Sequence, residues 1–297
     1  MTQKPIVFPL FGYDFLTNKI HEQFNCDVGK ISQHQFPDDE TVMQIHSDVN
    51  GRDIVFVASL DKPNIKLLPL IFAAETARSL GAKKITLIAP YLAYMRQDKQ
   101  FEAGQGITSQ YFAKLISAYF DHLITIDPHL HRWHALSDIY FIPTTLLHAT
   151  DNIVAWIHES ISNSVLIGPD AESAQWVSDI AKKSNSPFLI LNKKRKGDRL
   201  VEISIPNIEK YRDATPVLID DIISTAMTMM GAVKQLHALK MKPPVCIGVH
   251  ALFVGSAYQD LLESKVEKVV TCNTVLHSSN HIDISDIIIR ALENLFT

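Results

Sequence analysis

Cysteine is scarce: Cys26, Cys246 and Cys272 stand far apart and form no CxxC pair. Three scattered thiols argue against a disulfide scaffold or a thiolate zinc site and suggest a reducing compartment. A basic excess is also lacking, since 28 Lys plus Arg against 32 Asp plus Glu leave a formal net charge of -4. Nonspecific nucleic-acid binding needs a concentrated basic surface, so no nucleic-acid partner is expected. No apolar stretch approaches the ~20 residues that cross a bilayer. The start, MTQKPIVFPLFG, lacks the basic flank and long apolar run of a secretory signal. The expectation is a soluble cytoplasmic protein with no membrane partner. There is no low-complexity tract. What the chain does have is histidine, 13 in number, a common metal ligand and proton carrier near neutral pH. It also has length: 297 residues bury a large core and sit where single cores give way to two domains.

Short apolar runs recur: Ile54 to Ala58, Ile85 to Ala89, Leu123 to Ile126, Val165 to Ile167, Phe188 to Leu191, Val217 to Ile219 and Cys246 to Val249. They are continuous rather than alternating, the mark of strands covered on both faces. Helical periodicity falls between them. In Leu67 to Leu80 apolar residues recur at three- and four-residue spacing, Gly81 follows as a C-cap, and Pro69 is expected in the first turn. Ile107 to Phe120 is a second amphipathic stretch with Thr108 or Ser109 available to cap it; Ala171 to Lys183 and Met227 to Leu239 read alike. The alternation predicts an α/β protein with mostly parallel sheets flanked by helices. Thr144 to Asn163 shows no convincing strand, so the boundary is expected near residue 145, giving domains 1–145 and 146–297. Ligands of such sheets bind at the carboxyl ends of strands.

The sharpest local signal is Val217 to Met229, VLIDDIISTAMTM. An apolar strand ends in Asp220 and Asp221, and Ser224, Thr225 and Thr228 precede a helix. Paired carboxylates at a strand end persist most easily where a cation or sugar hydroxyls satisfy them. The hydroxyl-rich turn can aim N–H and O–H groups at a phosphate, helped by the helix N-terminus. A solvated turn with an ordinary Ser/Thr cap reads equally well from these residues alone.

This segment resembles the ribose-5-phosphate signature of type I phosphoribosyltransferases and of ribose-phosphate pyrophosphokinases (PRPP synthetases). The resemblance implies that Asp220 and Asp221 bind the ribose, and that Ser224, Thr225, Ala226 and Thr228 bind the 5-phosphate. Met227 stands where that pattern has glycine, a residue that allows close backbone approach and unusual dihedrals.

Four further segments favour the synthetase. Tyr94 to Gly106 (YMRQDKQFEAGQG) resembles its ARQDK segment, which implies ATP contacts from Arg96 and Gln97 with Asp98 and Lys99 in support. Ile126 to His134 (IDPHLHRWH) resembles its Asp-Leu-His segment and implies His129 as a magnesium–nucleotide ligand beside Asp127. Imidazole is an unusual ligand for Mg²⁺, and from the residues alone this cluster could equally hold a transition metal. Asp170, after Gly168-Pro169, matches the family's Asp at the cation site; read without the family it is a helix N-cap. Asn192 to Arg199 (NKKRKGDR) reads by composition as a solvated loop. In the family this loop closes over the triphosphate, which implies catalytic roles for Lys193 and Arg195. Near the N-terminus, Gln35-Phe36-Pro37-Asp38-Asp39-Glu40 resembles Arg-Phe-x-Asp-Gly-Glu, implying that Phe36, Asp38 and Glu40 reach the adenine of ATP in a neighbouring subunit.

The resemblance implies two similar phosphoribosyltransferase-type domains, ATP and ribose 5-phosphate as substrates, Mg²⁺ as cofactor, and self-association to a dimer or larger. The reaction it implies transfers the diphosphoryl group of ATP to the C1 hydroxyl of ribose 5-phosphate. Gln35, Gln105, Asn192 and Met227 depart from the pattern, and a catalytically silent, regulatory paralogue is the alternative they suggest. A phosphoribosyltransferase acting on a base is the other.

Overall fold

Val, Ile, Leu and Phe dominate the apolar runs, with Thr86 and Thr125 the polar residues in them, so the runs favour an extended, buried chain. The computed structural model describes residues 3–169, 173–196 and 200–297, with 192–196 and 200–204 as backbone only. The runs become strands of two units, Met1–His148 with Ser285–Thr297, and Ala149–Ile284, with Phe188–Ile190 at a sheet edge and Phe188 exposed.

The first unit contains β1 (Ile6–Pro9), α1 (Asp14–Gln23), β2 (Asp27–Val28), β3 (Ile31–Gln35), β4 (Thr41–Ile45), β5 (Asp53–Val57), α2 (Pro63–Ser79), β6 (Lys84–Ala89), α3 (Thr108–Tyr119), β7 (His122–Ile126) and β8 (Thr144–Leu147). Its sheet has the order β2-β1-β5-β6-β7-β8, parallel throughout. The β3–β4 pair is an antiparallel ribbon outside that sheet. Fully buried Phe8, Phe56, Ile85, Leu87 and Ile88 fill the core.

The second unit contains α4 (Thr150–Ser160), β9 (Ser164–Gly168), α5 (Ala174–Ser184), β10 (Phe188–Ile190), β11 (Asn192–Lys196), β12 (Leu200–Ser204), β13 (Thr215–Ile223), α6 (Met227–Ala238), β14 (Val245–Ala251), α7 (Ala257–Glu263), β15 (Lys268–Cys272) and β16 (Asn280–Ile282); α8 (Ser285–Phe296) then returns to the first unit. Its sheet runs β10-β9-β13-β14-β15-β16, again parallel, and β11 and β12 form a separate antiparallel ribbon. Both units thus share one plan: a six-stranded sheet with the same relative strand order, and a two-stranded ribbon inserted after its second strand.

Several expectations change. α2 begins at Pro63, so Pro69 lies inside the helix rather than in its first turn. Apolar periodicity marks only the buried stripe and misses the polar opening turn, where Pro63 suits the first position. Gly81 does follow that helix, at φ +90. α3 has Ile107 at its N-cap and no side-chain cap, so neither Thr108 nor Ser109 plays that part. Thr144–Leu147 is a strand after all, an edge strand half-buried along its length and therefore weakly marked by composition. Of the cationic stretch, Asn192–Lys196 is one side of a paired ribbon rather than a solvated loop.

The last helix, placed with the C-terminal domain by position in the chain, belongs to the first unit. Its Ile288 and Leu292 are fully buried, and the Phe296 ring meets Phe24 at 5.6 Å. The three thiols are buried; burial, with Asp27 nearby, pushes Cys26 up to about 11, and burial pushes Cys246 up to about 12. Replacing Leu292 with Ala is expected to destabilise the first unit by about 2–5 kcal/mol, the usual cost of emptying a leucine site. Amide hydrogen exchange should show protection lost first in β1 to β8 and retained in β9 to β16.

Candidate active site

In the second unit the strand order reverses between β9 and β13, and the crevice at such a reversal is where parallel sheets take ligands. β13 supplies the carboxylates. It is longer than its apolar run suggests, because β14 stays paired with it through Ile222–His250 and Ile223–Ala251. Asp220 and Asp221 therefore lie within a pleated strand, followed by Ile222 and Ile223, not in a loop after it. Both carboxylates are half-buried there. The amide of Asp221 donates to Oδ1 of Asp220 at 3.0 Å. Opposite Asp220 stands Gly248, where a Cβ would lie 2.6 Å from Cγ1 of Ile223. Only glycine lets Ile223 pack at the strand's end.

The turn that follows is tied to the neighbouring strand exit. Leu252 N donates to Ile223 O at 3.0 Å and Val254 N to Ser224 O at 3.2 Å. Ala226 caps α6 in the left-handed region, φ 56, and no side chain caps the helix. Its side chain is buried with Ile223 and Met229, whereas Met227 is 68% exposed. The unusual dihedral thus belongs to Ala226, and the Met227 side chain points away from the turn's core. Uncapped first-turn N–H groups, the Ser224 and Thr225 hydroxyls and the helix dipole suit a phosphate. Beside this turn, the Phe253 ring packs on Tyr258 at 5.1 Å and on His277 at 4.7 Å.

Lys193 and Arg195 occupy β11, opposite Ile203 and Val201 of β12; their side chains, like the whole of Asp170, lie outside the described residues.

In the first unit three strand exits carry the other candidates. The β3–β4 turn is closed by Phe36 N donating to Glu40 O at 2.7 Å. Asp39, standing where the resembled pattern has glycine, takes φ +69. Phe36 is 42% exposed and packs edge-on against His34 at 4.7 Å; Asp38 and Glu40 are exposed. After β6, Arg96 and Gln97 are exposed, Asp98 is buried, and Lys99 Nζ lies 4.9 Å from the Phe101 ring centre. After β7, Asp127 is buried at φ +36 and pairs with Nδ1 of His148 at 2.7 Å. The His129 and His131 rings stack at 6.1 Å. Arg132 reaches Asp98, and Trp133 reaches Ser109.

Sequence reasoning missed Arg132, Trp133 and His148 and took Ser109 only as a cap; long-range contact reveals their partners. Among the described residues no cluster of three or more His, Cys, Asp or Glu is arranged to hold a metal. The oxygen donors of Asp220 and Asp221 nevertheless suit Mg²⁺, which keeps several waters and is usually held by one or two carboxylates together with substrate phosphates.

Two parallel α/β units of phosphoribosyltransferase type, one carrying carboxylates on its switch strand ahead of an open helix N-terminus, define a protein of the phosphoribosyl-handling class. Residues 6–119 match the N-terminal domain of ribose phosphate pyrophosphokinase, and residues 139–286 match the phosphoribosyl transferase domain. The ribose-phosphate pyrophosphokinase of Saccharolobus solfataricus is 33% identical over 271 residues, covering 87% of this chain and 90% of that protein. That of Methanopyrus kandleri is 29% identical over 284 residues, covering 94% and 96%. The crystal structure of phosphoribosylpyrophosphate synthetase from Mycobacterium smegmatis shares the fold, with a TM-score of 0.86 over 99% of each chain at 20% identity. The chain belongs to the ribose-phosphate pyrophosphokinase family.

Two tests bear on the turn. Ala226→Gly is expected to leave stability within about 1 kcal/mol, whereas Ala226→Val, β-branched at positive φ, should cost more than that; urea unfolding of both variants decides. Burial holds the His277 imidazole below its ordinary 6.5. The unfolded chain then binds the proton more readily than the folded one. The stabilising contribution is present above pH 6.5 and is lost as pH falls through the lower folded value. NMR titration should find His277 titrating below a model histidine, and His277→Gln should reduce the loss of stability on acidification.

Proposed function

We infer that this protein is a ribose-phosphate diphosphokinase, moving the β,γ-diphosphoryl group of ATP to the C1 hydroxyl of ribose 5-phosphate to give PRPP and AMP. The observation that carries the reading is kinship along nearly the whole chain, supported by the carboxylate-bearing switch strand and its open phosphate turn.

In this reading Asp220 and Asp221 hold the ribose hydroxyls, leaving C1–OH exposed. The turn residues Ser224, Thr225, Ala226 and Thr228 hold the 5-phosphate through N–H and O–H groups. The exposed Met227 side chain leaves that turn open, which favours an active enzyme over a silent paralogue. Phe36, Asp38, Glu40, Arg96 and Gln97 bind the nucleotide, with Asp98 and Lys99 behind them. The C1 hydroxyl attacks the β-phosphorus in line and AMP leaves. Positioning and electrostatic stabilisation supply most of the rate enhancement in such transfers. Lys193 and Arg195 neutralise charge on the transferring oxygens.

Mg²⁺ belongs to the reading as the companion of the polyphosphate, where it supplies charge neutralisation. His129 and Asp170 are the candidate ligands. Self-association to a dimer or larger is part of it too, with the exposed β3–β4 ribbon reaching a neighbour's nucleotide.

The direct test is AMP formation from ATP, expected to require both ribose 5-phosphate and Mg²⁺. Lys193→Ala should lower kcat by well over about tenfold with an unchanged unfolding midpoint, in line with losing one charge-stabilising group. Normal turnover in that variant removes Lys193 from the role, and no AMP from the wild type removes the function.

A further inference from the structure

Three contacts converge on the segment that carries Arg96 and Gln97. Asp98 turns inward, its side chain only 2% exposed. Its Oδ1 and Oδ2 accept from Nη1 of Arg132 at 2.9 and 3.2 Å. Next along the chain, Trp133 Nε1 donates to Ser109 Oγ at 3.2 Å. The Ser109 amide in turn donates to the Gln97 carbonyl at 3.3 Å. The loop after β6, the opening of α3 and the loop after β7 are therefore laced together through side chains 24 and 34 residues apart.

A buried carboxylate is costly unless a counter-charge and hydrogen bonds satisfy it. Arg132 supplies both, and it lies three residues beyond His129. With Asp98 anchored inward, Arg96 and Gln97 stand exposed on the opposite side of the segment. Resting on the diphosphokinase reading, we propose that Arg132 is a positioning residue for the nucleotide. Through Asp98 it sets the direction in which Arg96 and Gln97 meet ATP, and it locks that segment to the loop bearing His129. Asp98 then acts by this grip and does not itself touch ATP.

Steady-state kinetics with each substrate varied, together with calorimetric binding of ATP, test the proposal. Arg132→Gln should raise KM for ATP about tenfold or more, since a small misplacement of binding groups is expensive. KM for ribose 5-phosphate should stay within about twofold, because its loop lies on another unit. Arg132→Lys, which keeps a cation able to reach both oxygens, should restore most of the loss. Equal rises in both KM values, or an unchanged KM for ATP, overturn the proposal. Should Arg132→Gln fail to fold, Asp98→Leu with Arg132→Met removes the buried charge and cuts the tether together. That double variant should fold and show the same ATP-selective weakening; wild-type affinity for ATP in it overturns the idea. A wild type that binds ATP yet forms no AMP defeats the diphosphokinase reading, while weaker ATP binding by Arg132→Gln still supports the tether. A wild type that binds no ATP ends both.

Discussion

Parallel pairing of β13 between β9 and β14 is the constraint on which the candidate site rests. Strands that run side by side in one direction must each be followed by a crossover, and all their carboxyl ends open along the same edge. The reversal of strand order beside β13 marks the edge where such sheets take ligands. β14 pairs with the strand past Asp220, out to Ile222 and Ile223, so Asp220 and Asp221 sit on a rigid ladder instead of a loop. Gly248 makes that close approach possible, since any side chain would displace Ile223. The carboxylates are thus aimed by backbone geometry, at no cost in side-chain ordering beyond their own.

The two units use one plan for different chemistry. Both switch strands, β5 and β13, are followed by a helix whose N-cap is left-handed, Lys62 at φ 52 and Ala226 at φ 56. In the first unit Pro63 takes the first helical position and has no N–H to offer. There the Lys66 ammonium fills the turn, donating to Ser59 O at 3.1 Å and to Asp61 at 2.5 Å. In the second unit Met227 keeps its N–H and hydroxyls flank the turn. The scaffold is shared, and among the described residues the two turns differ in a few side chains. The inserted ribbons diverge alike: one carries Phe36, Asp38 and Glu40, the other a run of Lys and Arg.

Tethers in the first unit serve the exits of β6 and β7 as the β14 pairing serves β13. Asp127 is held by His148 from the end of β8, and Asp98 by Arg132. Each joins a buried carboxylate to a more exposed cationic or imidazole partner, an arrangement that adds little to net stability but fixes geometry. Such pairs suit loops that must stay ordered while carrying polar groups to a ligand.

Much of this was legible in the amino-acid sequence. Buried parallel strands announce themselves as continuous Val/Ile/Leu runs, and most of the helices between them by their spacing. The Asp220–Asp221 pair, the hydroxyl turn and the cationic stretch stand out by residue type, which alone also fits solvated turns and loops; their order along the chain points to the family. Those properties are local, written in neighbours a few residues apart. Tertiary structure alone decided the rest. It assigned α8 to the first unit, turned Asp98 inward, moved the left-handed residue to Ala226 rather than Met227, and gave Ser109 to Trp133 instead of a helix cap. Each of these depends on which distant segment packs alongside, and composition near a residue carries no record of that partner.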